Sequence, residues 1–308
     1  MKRHLLVLTC FLALLLTACK KEVPQNNPVP PDPDPTPLPN PPAPTLQDND
    51  HMLLGNPTNA KSELTSGSNY LKDNQYYKIA YHASKGIPVW VAWHLESADL
   101  GSTPRQDDFR PDQLPSEWWY AVTHSSYTGS GFDRGHNCPS ADRTSSVPAN
   151  SSTFLMTNII PQSPMLNQGP WAALEDHIRN TMVGSNNEAY VIMGNYGEGG
   201  RGSAGEASTI NNGHVTVPKM IWKMALIIPK GNNDIQRIDT SATILVVNMP
   251  NDNSLYSTNT TGRKAWRNYL TTIASLETLA NGAGVSLNML ANVDSSTRAY
   301  LKHKLYYQ

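Results

Sequence analysis

Between Pro24 and Pro44, eleven of twenty-one residues are proline, most of them in "PVPPDPDPTPLPNPPAP". Each proline fixes φ and removes an amide donor, so this stretch cannot lie inside a helix or a sheet. It reads as an extended polyproline-type tether, roughly 65 Å long at about 3.1 Å per residue. The tether divides the chain, and whatever folds must lie beyond it. The text turns globular from about Asn56, and one domain is expected over residues 51–308, with no internal repeat and no second linker. The chain is 39% hydrophobic, an ordinary globular content for a length that supports one large domain.

Ahead of the tether, Lys2 and Arg3 form a basic head, and Leu5 to Leu16 form an apolar run too short to span a bilayer comfortably. "LTAC" then ends at Cys19. Residues 1–18 resemble a bacterial lipoprotein signal peptide, which implies cleavage before Cys19, lipidation of that cysteine and a lipid anchor in the membrane; residues 19–50 would be the lipidated end and its stalk. An ordinary secretory signal with a chance cysteine is the alternative. "CKKE" resembles the charged tag that sends some bacterial lipoproteins to the cell exterior. The expected location is the cell envelope, lipid-anchored to the outer membrane, with the cell exterior and the periplasm both open as the side it faces.

Loss of the leader removes Lys2 and Arg3, leaving 22 basic against 25 acidic residues. A protein held to nucleic acid by bulk attraction is usually more basic, so any phosphate recognition must come from a local cluster. Beyond the leader and Cys19, Cys138 stands alone. That excludes an internal disulfide and a paired-cysteine zinc site. Cys138 is read as a small buried hydrophobe, with a thiol nucleophile beside His136 as the alternative.

Strand-like stretches occur at "VWVAWHL" (89–95), "TFLMTNII" (153–160), "AYVIMG" (189–194), "WKMALIIP" (222–229) and "ATILVVNMP" (242–250). Helical patterns occur at 170–183, 263–280 and 295–305. Together these give an α+β domain.

"GFDRGHNCPSADR" (131–143) is an unattractive stretch for a purely structural segment. Of nine histidines, only His136 has an arginine two residues before it and an acid three before. A histidine near its ordinary pKa can take a proton from water, and Arg134 can clamp an anion, most naturally a phosphate. A strand-end histidine beside a local Asp–Arg pair explains the same residues. Further on, "TNIIPQSPMLNQGPWAALEDHIR" (157–179) runs through a proline-punctuated turn into an amphipathic helix. At about 100° per residue Asn167 falls above the Trp171–Leu174–Ile178 stripe, Glu175 on its shoulder and Asp176 opposite. An inward asparagine needs polar partners; metal-bound water is one, and the backbone groups of a helix start are another. Glu175 and Arg179, four apart, could also form a simple surface pair. A histidine and an amide oxygen suit one hard cation: magnesium prefers oxygen ligands and keeps most of its waters, and manganese meets the same chemistry.

"DRGH" followed by "TNIIPQ…LNQGPWAALED" resembles the DNA/RNA non-specific endonuclease family with a ββα-metal (His-Me finger) site, and the likeness covers roughly residues 70 to 250. It implies a mixed central β-sheet flanked by helices, with the active site in a cleft beside the ββα element. By that resemblance His136 matches the general base, Asn167 the direct Mg²⁺ ligand and Glu175 the acid that holds metal-bound waters. Arg134 matches the motif arginine beside the scissile phosphate, Arg179 a substrate-side arginine, and Arg105 in "TPRQDD" an arginine that stabilises the pentavalent phosphate. Asp133 is expected to orient local backbone. The implied activity is hydrolysis of DNA, RNA or both to 5′-phosphate and 3′-hydroxyl ends. Asn137 and Cys138 depart from the family's motif, which bears on the metal shell and on thiol sensitivity. A surface lipoprotein that binds glycans through Trp90, Trp93, Trp118 and Trp119, or nucleic acid on a catalytically silent nuclease fold, is the alternative.

Overall fold

The computed structural model describes residues 47–117 and 119–307; the leader, Cys19, the proline tether and Trp118 lie outside them. The strands in chain order are β1 (Tyr70–Asp73), β2 (Lys78–His82), β3 (Ile87–Leu95), β4 (Asp133–His136), β5 (Ile159–Gln162), β6 (Asn187–Glu198), β7 (Gly200–Gly202), β8 (Gly205–Ala207), β9 (Thr209–Ile210), β10 (Val215–Thr216), β11 (Pro218–Pro229) and β12 (Thr243–Pro250). Six of them form the central sheet in the order β1-β2-β3-β6-β11-β12. The α+β architecture matches the expectation, but the sheet is antiparallel at every pairing rather than mixed. Hairpins and long returns, not βαβ crossovers, link its strands.

Both faces of this sheet are covered. Alternate side chains of β3, β6, β11 and β12 fall into two separate cores: Val91, Trp93, Val191, Ile221 and Val247 on one face, Trp90, Ile192, Trp222, Met224 and Val246 on the other. A strand buried on both sides needs apolar residues at every position, which is why these stretches read as continuous hydrophobic runs. Trp90 and Trp93 are fully buried, and their indoles donate inward to Thr58 Oγ1 (2.8 Å) and Asp142 Oδ2 (3.0 Å). They offer no platform for a sugar.

Two expected elements are displaced. In place of a strand over 153–160 the chain makes an isolated bridge at Leu155, forms a 3₁₀ turn, Met156–Asn158, and joins β4 only from Ile159. The Asn158 side chain causes this by binding the backbone of Cys138 and Thr153 (2.9 Å each). The helix expected over 263–280 breaks into a 3₁₀ segment, Gly262–Tyr269, and an α-helix, Ile273–Gly282. Between them Leu270 bridges to Val247, and the Thr271 amide donates to Val246 O (3.0 Å), so the edge of β12 takes the backbone bonds a helix would have used. Among the described residues no helix is long and apolar enough to cross a membrane.

Candidate active site

The excursion between β3 and β6 carries the "DRGH" run. Strand β4 is that run, and it pairs with β5 from Asp133↔Gln162 to His136↔Ile159. Gly135 is required by close approach rather than by backbone angle: a Cβ there would sit 2.3 Å from Gln162 Oε1. At the end of β5 the chain turns into a helical run over 164–183. Asn251 ties this corner to the main sheet, accepting from the Ser163 amide (2.7 Å) and donating to Pro161 O and Pro218 O (2.9 Å each).

The helical run is not one continuous register. Gly169 has non-helical angles (φ −100°, ψ −109°), with Pro170 directly after it and Ser257 O packed where a Cβ would go. The projection of Asn167 onto the Trp171–Leu174–Ile178 stripe therefore fails. Leu166 takes the core position, and Asn167 turns to the cleft at half burial. Its Nδ2 donates to Asp133 Oδ2 (2.9 Å), which also accepts from Gln168 Nε2 (2.9 Å). Among the described residues no donor reaches Asn167 Oδ1, so Asp133 fixes the amide with its oxygen free. Asp133 thus orients a side chain, where the sequence suggested backbone.

A cleft of about 330 Å³ is lined by Arg105, Asp107, Phe109, His124, Arg134 and Asn167, among others. Phe109 lines the cleft, and Phe154 and His136 pack beneath it without lining it. Phe109 and Phe154 meet edge to face (4.9 Å), and the His136 ring lies against both (5.4 and 4.9 Å). Arg134 stacks on Phe109 (4.2 Å) and Arg105 on Phe154 (4.8 Å). The two phenylalanines are brought together by a backbone bridge, Arg110 N to Phe154 O (3.2 Å) and Met156 N to Arg110 O (3.0 Å). Arg105 is anchored further through Nη1 to Ser140 Oγ (2.7 Å) and Nε to Asp107 Oδ1 (2.6 Å). Sequence alone gave no sign of Phe109, Phe154 or Asp107 as site residues, because none belongs to a motif with chemistry of its own.

His136 Nε2 is inaccessible and has no hydrogen-bond partner. Burial, then the charges of Arg105 and Arg134, drive the imidazole pKa down from 6.5 to about 3, so the ring is neutral at physiological pH. An unpartnered buried nitrogen costs stability unless a ligand uses it, and a neutral imidazole between two guanidiniums can accept a proton where an anion docks.

Glu175 and Arg179 sit elsewhere than expected. Glu175 Oε1 accepts from Lys223 Nζ (2.8 Å), a buried lysine on β11 that also lies over Trp93 and Trp171 (5.4 and 4.8 Å). Burial pushes the Glu175 carboxyl above its usual range, against the pull of Lys223 and Arg179. Arg179 is a correction to the sequence reading. It is buried, with Nε on Asp142 Oδ1 (2.7 Å) and Nη1 on Asp176 Oδ1 (3.0 Å), so its charge is spent inside the protein and does not line the cleft. Nor do Glu175 and Arg179 pair as surface neighbours. Asn137 and Cys138 face inward: Asn137 Nδ2 donates to Asn158 O (2.9 Å), and Cys138 is a core residue whose thiol burial raises to about 12. The thiol has no part in the cleft.

Among the described residues, His94, Glu188 and Asp234 place possible metal-ligand atoms within 4.8 Å of one another. Their oxygens are already engaged. Glu188 accepts from His94 Nε2 (3.1 Å), Gly231 N (3.1 Å) and Arg237, and Asp234 accepts from Tyr190 and Arg237. Arg237 supplies the positive charge a cation would bring, which makes this a closed ion-pair cluster. Asn167 Oδ1, by contrast, accepts from no donor among the described residues.

A profile of the DNA/RNA non-specific endonuclease family matches residues 54–296. A nuclease of Nostoc sp. is 37% identical over 255 residues, covering 83% of this chain and 85% of that protein. Human mitochondrial endonuclease G is 32% identical over 167 residues, covering 52% of this chain and 56% of that protein. A solved complex of EndoG with EndoGI superposes with a TM-score of 0.61 at 20% identity, covering 80% of this chain and 92% of that one, and so shares the fold. A β4–β5 hairpin feeding a helix, a neutral histidine between two arginines, and a profile match spanning nearly the whole described domain converge on one conclusion: the chain belongs to the DNA/RNA non-specific endonuclease family.

Proposed function

We propose that the protein hydrolyses internucleotide phosphodiesters of DNA, RNA or both in a metal-dependent reaction, leaving 5′-phosphate and 3′-hydroxyl ends. The observation that carries this is His136 Nε2, buried, unpartnered and neutral between two arginines. His136 acts as general base and takes a proton from the attacking water. Arg134 and Arg105, each stacked on a phenylalanine, hold the phosphate and stabilise the charge that builds on it. The oxygen-donor character of Asn167, its amide hydrogen held by Asp133, fits Mg²⁺ or Mn²⁺ as ion. Bound there, the cation would supply positive charge against the phosphate and the departing 3′ oxygen. Glu175 keeps its second carboxylate oxygen for water in that reading, while Lys223 holds the first.

The test is digestion of supercoiled plasmid and of a structured RNA with Mg²⁺, with excess chelator, and with His136→Ala in parallel. Cutting of either polymer that needs both the ion and His136 supports the reading. Undiminished cutting by His136→Ala removes the base assignment. In Asn167→Ala the rate should fall and the Mg²⁺ requirement rise together; an unchanged Mg²⁺ titration would refute the ligand role.

The anchor belongs to the same proposal: cleavage after residue 18, lipid on Cys19 and display of the nuclease on the cell envelope by the proline stalk. Metabolic labelling with a fatty acid should mark the protein and fail to mark Cys19→Ala.

A further inference from the structure

We propose that His124 and Tyr127, with the outer edge of Arg134, form a second phosphate subsite that grips the internucleotide phosphate next to the scissile one. The inference rests on the endonuclease reading above and extends it to the length of substrate the site prefers.

His124 and Tyr127 bound a single 3₁₀ turn, His124–Tyr127, that overhangs the start of β4. The turn is fixed from both sides. Ser126 Oγ accepts from the Thr123 amide (3.1 Å), and Asn211 Nδ2 reaches Ser126 Oγ (3.2 Å) and Tyr120 Oη (2.6 Å). His124 is exposed and lines the cleft. Its Nδ1 lies 3.4 Å from Arg134 Nη1. An arginine keeps its protons, so Nδ1 is the acceptor and the hydrogen sits on Nε2, as a donor. Tyr127 also lines the cleft, 5% exposed, and its buried hydroxyl has no hydrogen-bond partner. Burial pushes its pKa well above 10, against the nearby charge of Arg134, so the phenol is a donor too.

His124 Nε2 and the Arg134 guanidinium are donors facing the cleft, and the unpartnered Tyr127 hydroxyl beneath them can donate as well; an oxyanion is the ligand that satisfies such a set. The two carboxylates of the cleft are occupied: Asp107 holds Arg105, and Asp133 holds two amides. Phe109, Phe154 and His136 all touch one another, Arg105 stacks on Phe154 and Arg134 on Phe109. His124 meets this group through Arg134, one contact further out than either arginine. A phosphate at His124 and Tyr127 is thus displaced from the one His136 attacks, as the next phosphate of a strand is.

The full-length protein would be compared on two substrates with Mg²⁺: bis(p-nitrophenyl) phosphate, which has one diester and no neighbour, and a defined single-stranded oligonucleotide. The variants are His124→Ala, Tyr127→Phe and the pair, with melting temperatures measured alongside. For the pair, kcat/KM on the oligonucleotide should fall about tenfold or more, chiefly through KM, with a fall of less than about twofold on the single diester. Equal losses on both substrates, or no loss on the oligonucleotide, would overturn the subsite. A wild-type protein inert on both substrates would instead overturn the endonuclease reading beneath it.

Discussion

His136 is kept deprotonated by its surroundings rather than by a partner. Its pKa of about 3 in the folded chain against 6.5 ordinarily means that, on acidification, the unfolded chain takes up a proton that the folded one refuses. The resulting stability is fully present above about pH 6.5 and is lost as pH falls toward about 3. Urea melts at several pH values should show stability rising with pH across this window, and His136→Ala should flatten part of the slope. His51, lowered to about 4, and His82 and His177, also lowered, all chiefly by burial, contribute to the rest. The same substitution should cut turnover by about 10² to 10⁴-fold while the fold persists. Phe154 acts one contact further out, holding both the His136 ring and Arg105. In Phe154→Leu, kcat should drop about tenfold or more with KM moving less, since misplaced reacting groups cost rate before binding; an equal shift in both would argue for a packing role alone.

Asn158 governs the hairpin. It bonds the Cys138 amide and carbonyl and the Thr153 carbonyl through its side chain, and its own carbonyl takes the Asn137 amide. Asn158→Ala strands several buried backbone groups and should lower stability by about 3 kcal/mol in denaturant titration. Gly135→Ala, which forces a methyl into Gln162, should move β4 and reduce activity more than its effect on melting suggests. Elements with a single dominant pattern were legible in the sequence: β3, β6, β11 and β12 through unbroken apolar runs, the helix Ser295–His303 through its periodicity, and His136, Arg134 and Asn167 through motif. What the sequence hid depends on partners distant in the chain. Gly169 breaks the register beneath Asn167 because Ser257 O packs there, Leu270 leaves its helix for the edge of β12, and Arg179 turns inward because Asp142 waits for it. No window of local sequence contains either member of such a pair together with its partner's position.

Across the whole molecule, Lys223 is the bolt between the sheet and the site. It rises from β11 through the apolar layer to Glu175 on the helical run that begins beside Asn167. Lys223→Met leaves a buried carboxyl without its cation and should cost about 3 kcal/mol or more; adding Glu175→Gln should restore part of that stability, though not activity. A thermal melt of the single and double variants decides it, and additive losses would show that the pair is not coupled. The seam between β3 and β6 has a different bearing. Leu95 pairs with Ala189, so the chain leaves the sheet and returns to the adjacent strand, and residues 96 to 186 form one excursion whose two ends are pinned side by side. Closing such a loop costs entropy only as the logarithm of its length, about 0.6 kcal/mol for a doubling. Lengthening the exposed turns of this segment therefore costs little, but Met156, Ile160, Trp171 and Ile178 cover one face of the sheet and Glu175 meets Lys223; a chimera that transplants 96–186 between relatives should import the donor's taste in nucleic acid yet melt below the recipient until the sheet residues facing the segment are matched to it.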